Sequence, residues 1–174
     1  MSKHQALRDL QNRLAERLQT ARQQSAAQAW LAVEAGQGRY LLPLHQSGEI
    51  FSPPSLLRVP YTSRWFIGVA NLRGVLYGVV DLADFLGVSL AHGEGVSGGS
   101  RVISLNPELA GNVALKVDAL VGLRRPDAFV QVLPAAAGLA AHLGSQYQDV
   151  QGQLWRALDL QALAQWADFL NIGT

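Results

Sequence analysis

The chain has no cysteine among its 174 residues. Disulfide staples and thiolate metal ligands are therefore excluded, and the composition suits a reducing compartment. Charge is also scarce. Fourteen Lys and Arg face thirteen Asp and Glu, for a net charge of +1, too little for the basic surface of a nucleic-acid or anionic-membrane binder. No apolar run approaches the ~18 residues of a membrane span. Lys3, Arg8, Asp9, Arg13, Glu16 and Arg17 interrupt the first 22 residues, so no signal-peptide core is expected. A soluble, cytoplasmic protein without direct membrane insertion is the expectation. Hydrophobic residues make up 49% of the chain, enough for a packed core and against disorder.

Catalytic patterns are lacking too. The histidines are His4, His45, His92 and His142, and none has the spacing of a helical metal site. Asp81 and Asp84 lie three apart, but a helix cap explains them better than an acid/base pair. The run from Gly93 to Gly99 superficially resembles a phosphate loop without the Lys-Ser/Thr that would make it one. It reads as a connection, within a loop over 91–100. No Gly-x-Ser-x-Gly elbow occurs. The expectation is no enzymatic activity, no metal and no cofactor.

What is present divides into two textures. Leu7, Leu10, Leu14 and Leu18 recur at spacings of three and four, which predicts an amphipathic helix within residues 1–28. Its stripe needs a cover, either this chain's own domain or another protein. From Trp30 onward short apolar runs alternate with Gly, Pro and Ser. Strands are expected at Trp30–Val33, Tyr40–Leu44, Trp65–Ala70, Val75–Val80, Arg101–Leu105, Val113–Val117, Phe129–Leu133 and Leu154–Leu158. Helical pieces are expected at Leu82–Leu86 and Leu160–Leu170, the latter with Leu163, Trp166 and Leu170 on one packed face. Pro134–Gly144 has room for a turn of helix. Trp30, Trp65 and Trp155 fall in strand patterns and are expected in the core. Many short strands without long helices between them predict an all-β barrel or sandwich.

The chain also echoes itself. Arg73-Gly-Val-Leu-Tyr-Gly-Val-Val-Asp-Leu aligns without a gap on Gln151-Gly-Gln-Leu-Trp-Arg-Ala-Leu-Asp-Leu. Each copy runs from a turn glycine through a strand with an aromatic to an Asp that precedes an apolar helical segment. That Asp suits an N-cap. Two similar half-structures are implied, each ending in strand, cap and helix.

The stretch Trp65-Phe-Ile-Gly-Val-Ala-Asn-Leu-Arg-Gly, followed by Val79-Val-Asp-Leu, resembles the signature of the CheW family. Tyr40-Leu-Leu-Pro-Leu, Glu49-Ile50, Arg101-Val-Ile, Val117-Asp118 and Leu158-Asp159-Leu160 match further landmarks in order. The resemblance spans about 30–163 and implies two five-stranded SH3-like barrels sharing a core. It divides the chain into an N-terminal extension, 1–28, and a CheW-like domain, 29–170. It implies a scaffold between the cytoplasmic tip of a methyl-accepting chemoreceptor and the regulatory domain of a CheA-type histidine kinase. The N-terminal helix and the length resemble members that serve type IV pilus, or twitching, systems. A small-ligand or peptide-binding β-barrel is the alternative. Gly78 departs from the family, which often has Pro there, and Ala70 replaces a usual β-branched residue.

Glu49, Gly68, Asn71 and Arg73 are the candidate partner-binding residues. Gly68 and Gly74 bracket a place where the backbone needs room or positive φ. Asn71 can bond its own turn. Arg73 offers a five-donor fork to a carboxylate, of a partner or of this chain. Glu49 has the same two readings.

Overall fold

The computed structural model describes Gln5 and residues 9–17, 28–90 and 99–173. A helix, α1, covers 9–17, and all of its described residues are exposed. Leu10 and Leu14 are 56% and 52% exposed, so the barrels do not cover their part of the stripe. Leu7 and Leu18, like most of the Gly-rich connection, lie outside the described residues.

Among the described residues eleven strands follow, in chain order. They are β1 (Trp30–Ala35), β2 (Gly38–Pro43), β3 (Ser47–Phe51), β4 (Phe66–Leu72) and β5 (Val75–Asp81). Then come β6 (Arg101–Leu105), β7 (Val113–Val117), β8 (Ala119–Arg124), β9 (Phe129–Leu133), β10 (Leu143–Asp149) and β11 (Leu154–Leu158). Short α-helices among the described residues are α2 (Leu82–Leu86), α3 (Pro107–Ala110), α4 (Leu160–Ala164) and α5 (Ala167–Leu170).

The strands make two sheets, ordered β3-β6-β7-β5-β4 and β8-β1-β2-β11-β10-β9. With β9 set aside the two correspond position for position. In each, the strand after the turn glycine pairs antiparallel with its hairpin partner and parallel with a strand of another hairpin, β5 with β7 and β11 with β2. The echo at Gly74 and Gly152 is therefore one part of a whole repeated half. The halves are not consecutive in sequence. The chain starts in the larger sheet with β1 and β2, builds the smaller one from β3 to β7, and returns. Asp118 holds the return crossing, since its N–H donates to Glu34 O at 2.9 Å and its Oδ2 accepts from Gly36 N at 2.6 Å.

The two-barrel expectation holds with one correction, in that the sheets have five and six strands rather than five each. The sixth, β9, pairs along the outer edge of β10 and satisfies backbone groups there. Three strands escaped the sequence pattern. Ser47–Phe51 holds Gly48 and Glu49, Ala119–Arg124 holds Gly122, and Leu143–Asp149 is mostly polar. None alternates cleanly, because their partly exposed faces ask little hydrophobicity of them. Pro134–Gly144 holds no helix; residues 134–142 are irregular and β10 begins at Leu143.

Both caps form as the echo requires. Asp81 accepts from Asp84 N at 3.2 Å, and Asp159 accepts from Gln161 N and Ala162 N at 3.0 and 3.1 Å. The single helix expected over Leu160–Leu170 is instead two helices, broken at Gln165 and Trp166. Trp166 is extended, with φ −71° and ψ 129°. Its ring meets His142 edge-on at 5.2 Å, and Phe169 stacks on Trp65 at 6.0 Å. The break comes where these aromatic contacts form, and tertiary contacts there override local helix propensity. Leu170 is accordingly exposed while Leu163 is buried.

The main core lies between the sheets and beneath the helices. Leu31, Val33 and Leu42 of one sheet meet Val80, Ile103 and Leu115 of the other, with Leu82, Leu160 and Leu163 from the helices. Burying each such side chain stabilises the fold by about 1.5–3 kcal/mol. Trp155 fills the inside of the larger sheet with Ala32 and Leu41, and its indole N–H donates to Asp149 Oδ2 at 2.9 Å. Trp30 and Trp65 are only half-buried, and Trp65 precedes β4.

Candidate partner-binding site

The β4–β5 hairpin turns on two residues, Arg73 and Gly74, between the paired Leu72 and Val75. Both have positive φ, +51° and +85°. A right-handed strand twist favours such a turn, and Gly and Asn are its usual residues. Arg73 departs from that preference and holds a left-handed conformation that costs a side-chain-bearing residue about 1–2 kcal/mol. Asn71 offsets part of this, since its Oδ1 accepts from Gly74 N at 2.7 Å.

Arg73 thereby projects from the tip. Its Nη1 lies 2.7 Å from Glu49 Oε2, with the two side chains 76% and 57% exposed. Its guanidinium also sits 5.9 Å from the Phe51 ring centre, a cation–π distance. Glu49 and Phe51 belong to β3, which is one edge of the smaller sheet, while β4 is the other. The ion pair thus bridges the two edges as the sheet curls. Exposure limits its worth to roughly 0–1 kcal/mol. Val75 and Leu76, which follow the turn in sequence, are exposed apolar residues.

Three of the four candidates, Glu49, Asn71 and Arg73, therefore meet at one tip. Gly68 stands apart in a β4 bulge, where Leu57 bridges to Val69 through two backbone hydrogen bonds of 2.8 and 2.9 Å. Its φ is +137°, and a Cβ there would lie 2.5 Å from Leu57 O. Its geometry serves backbone packing. Phe51 was not among the sequence candidates. The signal was its place two residues after Glu49, which puts both on one face once β3 is recognised as a strand.

The family departures have local reasons. Gly78 N donates to Asn112 O at 2.9 Å, a bond proline lacks the N–H to make. Ala70 is buried among Leu72, Val79, Val102 and Ala114.

A polar groove of about 720 Å³ opens at the other end of β5 from this turn, lined by Arg58, Arg64, Asp81, Asp84, Lys116 and Asp118 among others. Most of these charges are paired. Lys116 Nζ lies 2.7 Å from Asp81 and 3.8 Å from Asp118, and Arg64 lies 3.5 Å from Asp84. Burial works against the Lys116 charge, but the hydrogen bond and charge of Asp81, with Asp118 and Asp84 beyond, outweigh it and raise its pKa. Asp84 also accepts from Ser89 Oγ. Among the described residues no cluster of His, Asp and Glu has the arrangement of a metal site.

Comparison with known proteins agrees with this architecture. Residues 29–168 match the family model described as a CheW-like domain. Protein PilI of Pseudomonas aeruginosa is 30% identical over 156 residues, covering 87% of this chain and 84% of that protein. The crystal structure of scaffolding protein TtCheW from Thermoanaerobacter tengcongensis superposes with a TM-score of 0.62. That match covers 76% of this chain and 89% of that one at 18% identity, and it speaks for the fold. With its repeated β halves, its Asn-Leu-Arg-Gly hairpin tip and these matches, the chain belongs to the CheW-like family of chemotaxis-type adaptors.

Proposed function

We propose that the chain is a non-catalytic cytoplasmic adaptor that couples a methyl-accepting chemoreceptor to a CheA-type histidine kinase in a twitching-motility system. The similarity to PilI supports the pilus assignment. The observation that carries the partner-binding role is Arg73. An exposed arginine held at positive φ, on a turn that glycine or asparagine would make with less strain, points to selection for something other than stability. In this reading Arg73 and Glu49 present a paired charge to the kinase or receptor, with Asn71 and Gly68 shaping the strand and turn that carry them. The 1–28 segment acts as an appended helical module.

The test is a pull-down of kinase and receptor fragments with Arg73→Glu, Glu49→Arg and the double swap, beside their melting curves. Losing a charge contact of about 2 kcal/mol lowers affinity roughly thirtyfold. Arg73→Glu is expected to lose binding with an unchanged melt, and the swap is expected not to restore it. Full binding by the swap would assign the pair a purely internal role. Full binding by Arg73→Glu would remove the tip from the interface.

A further inference from the structure

We propose that the larger sheet carries an oxyanion-binding groove at Tyr40 and Arg156, suited to a carboxylate or phosphate group. Arg156 on β11 is in register with Tyr40 on β2 and with Gln146 on β10. In-register residues of neighbouring strands share a face, so the three polar side chains form one row across the sheet. They line a groove of about 540 Å³ with Gln37, Gln153 and Arg39.

The groove offers chiefly donors. Tyr40 is only 6% exposed, and its hydroxyl lies over Gly38, where a Cβ would come within 2.4 Å of it. No described residue hydrogen-bonds that hydroxyl. Burial, against the pull of Arg156, keeps the phenol protonated and able to donate. Arg156 Nη1 donates to Gly144 O at 3.0 Å, which anchors the guanidinium and leaves its other N–H groups without a partner among the described residues. No carboxylate of a described residue lines the groove. Arg39 at its rim is countered by Glu34 at 3.4 Å, whereas Arg156 has no ion-pair partner among the described residues. One uncompensated guanidinium beside an unpartnered hydroxyl recognises a negatively charged group that only accepts hydrogen bonds. The site lies on the opposite sheet from Arg73 and is independent of the adaptor reading.

The test is an NMR titration of the full chain with inorganic phosphate in one arm and a capped tri-glutamate peptide in the other. Sodium chloride at matched ionic strength controls for screening. Saturable shifts are expected at the Gly38 and Gln153 amides and at the Arg156 Nε–H. Saturation by phosphate supports a phosphorylated ligand, and saturation by the peptide alone supports a carboxylate. Arg156→Gln is expected to weaken binding about tenfold or more, and Arg125→Gln to leave it unchanged. If Arg156→Gln melts early, Tyr40→Phe decides, because it removes one donor and keeps the ring. Shifts that only track sodium chloride, or wild-type binding by the folded Arg156→Gln or Tyr40→Phe proteins, would overturn the proposal.

Discussion

Gln46 and Asp159, far apart in sequence, share the cap of α4. Gln46 Nε2 donates to Asp159 Oδ1 at 3.2 Å, and Gln46 Oε1 accepts from Leu160 N at 2.7 Å. A buried glutamine from the connection between β2 and β3 thus completes the start of α4. In the other copy, Lys116 contacts Asp81 instead. The repeat preserves the capping aspartate and changes what steadies it.

Gln46→Met keeps the length of the side chain and removes both polar atoms. It leaves the buried Leu160 N–H unpaired, which costs about 1–3 kcal/mol. At roughly 2–4 °C per kcal/mol for a chain of this size, differential scanning calorimetry resolves the loss. A melt equal to wild type would mean the cap is sustained by Asp159 alone.

The glycine within β4 and the glycine of its turn differ in environment. Gly74→Ala places its methyl in open space and suffers only the positive φ, about 1–2 kcal/mol. Gly68→Ala adds a collision with Leu57 O and should cost clearly more. Urea denaturation of both variants checks the order. Equal losses would show that the 57–69 bridge yields at no cost.

His142 is buried between Phe85 and Trp166, with Nδ1 unpaired among the described residues. Burial lowers its pKa below the ordinary 6.5. The unfolded chain therefore takes up a proton at a higher pH than the folded one. Stability from the neutral ring is fully present above about pH 6.5 and falls as pH drops toward the lowered folded value. His142→Phe keeps a ring and removes the titration, so its melting temperature should change less between pH 7 and pH 5 than that of wild type. Parallel pH profiles would exclude His142 as the source.

Deleting residues 1–28 should leave a cooperatively folding domain. The described part of α1 has its leucines exposed, and among the described residues the core begins at Ala29. Circular dichroism melts of the truncated and full chains check this. A broad, non-cooperative melt of the truncated chain would make the helix part of the fold.

Local chemistry marked much of this protein in its sequence. The turn glycines, the capping aspartates and the β-rich runs depend on residues a few positions apart, so they stand out without a structure. The echo between Arg73–Leu82 and Gln151–Leu160 disclosed a repeated half for the same reason. Tertiary structure alone decided how the halves interlace, because pairing β11 with β2 and β8 with β1 joins segments about a hundred residues apart. It alone put Glu49 and Phe51 beside Arg73, since the curl of a sheet leaves no mark in the spacing of residues. It alone split the last helix at Trp166, where aromatic contacts from distant elements outweighed a helical pattern. The row of Gln146, Arg156 and Tyr40 likewise arises from register between strands, and register is a property of the assembled sheet.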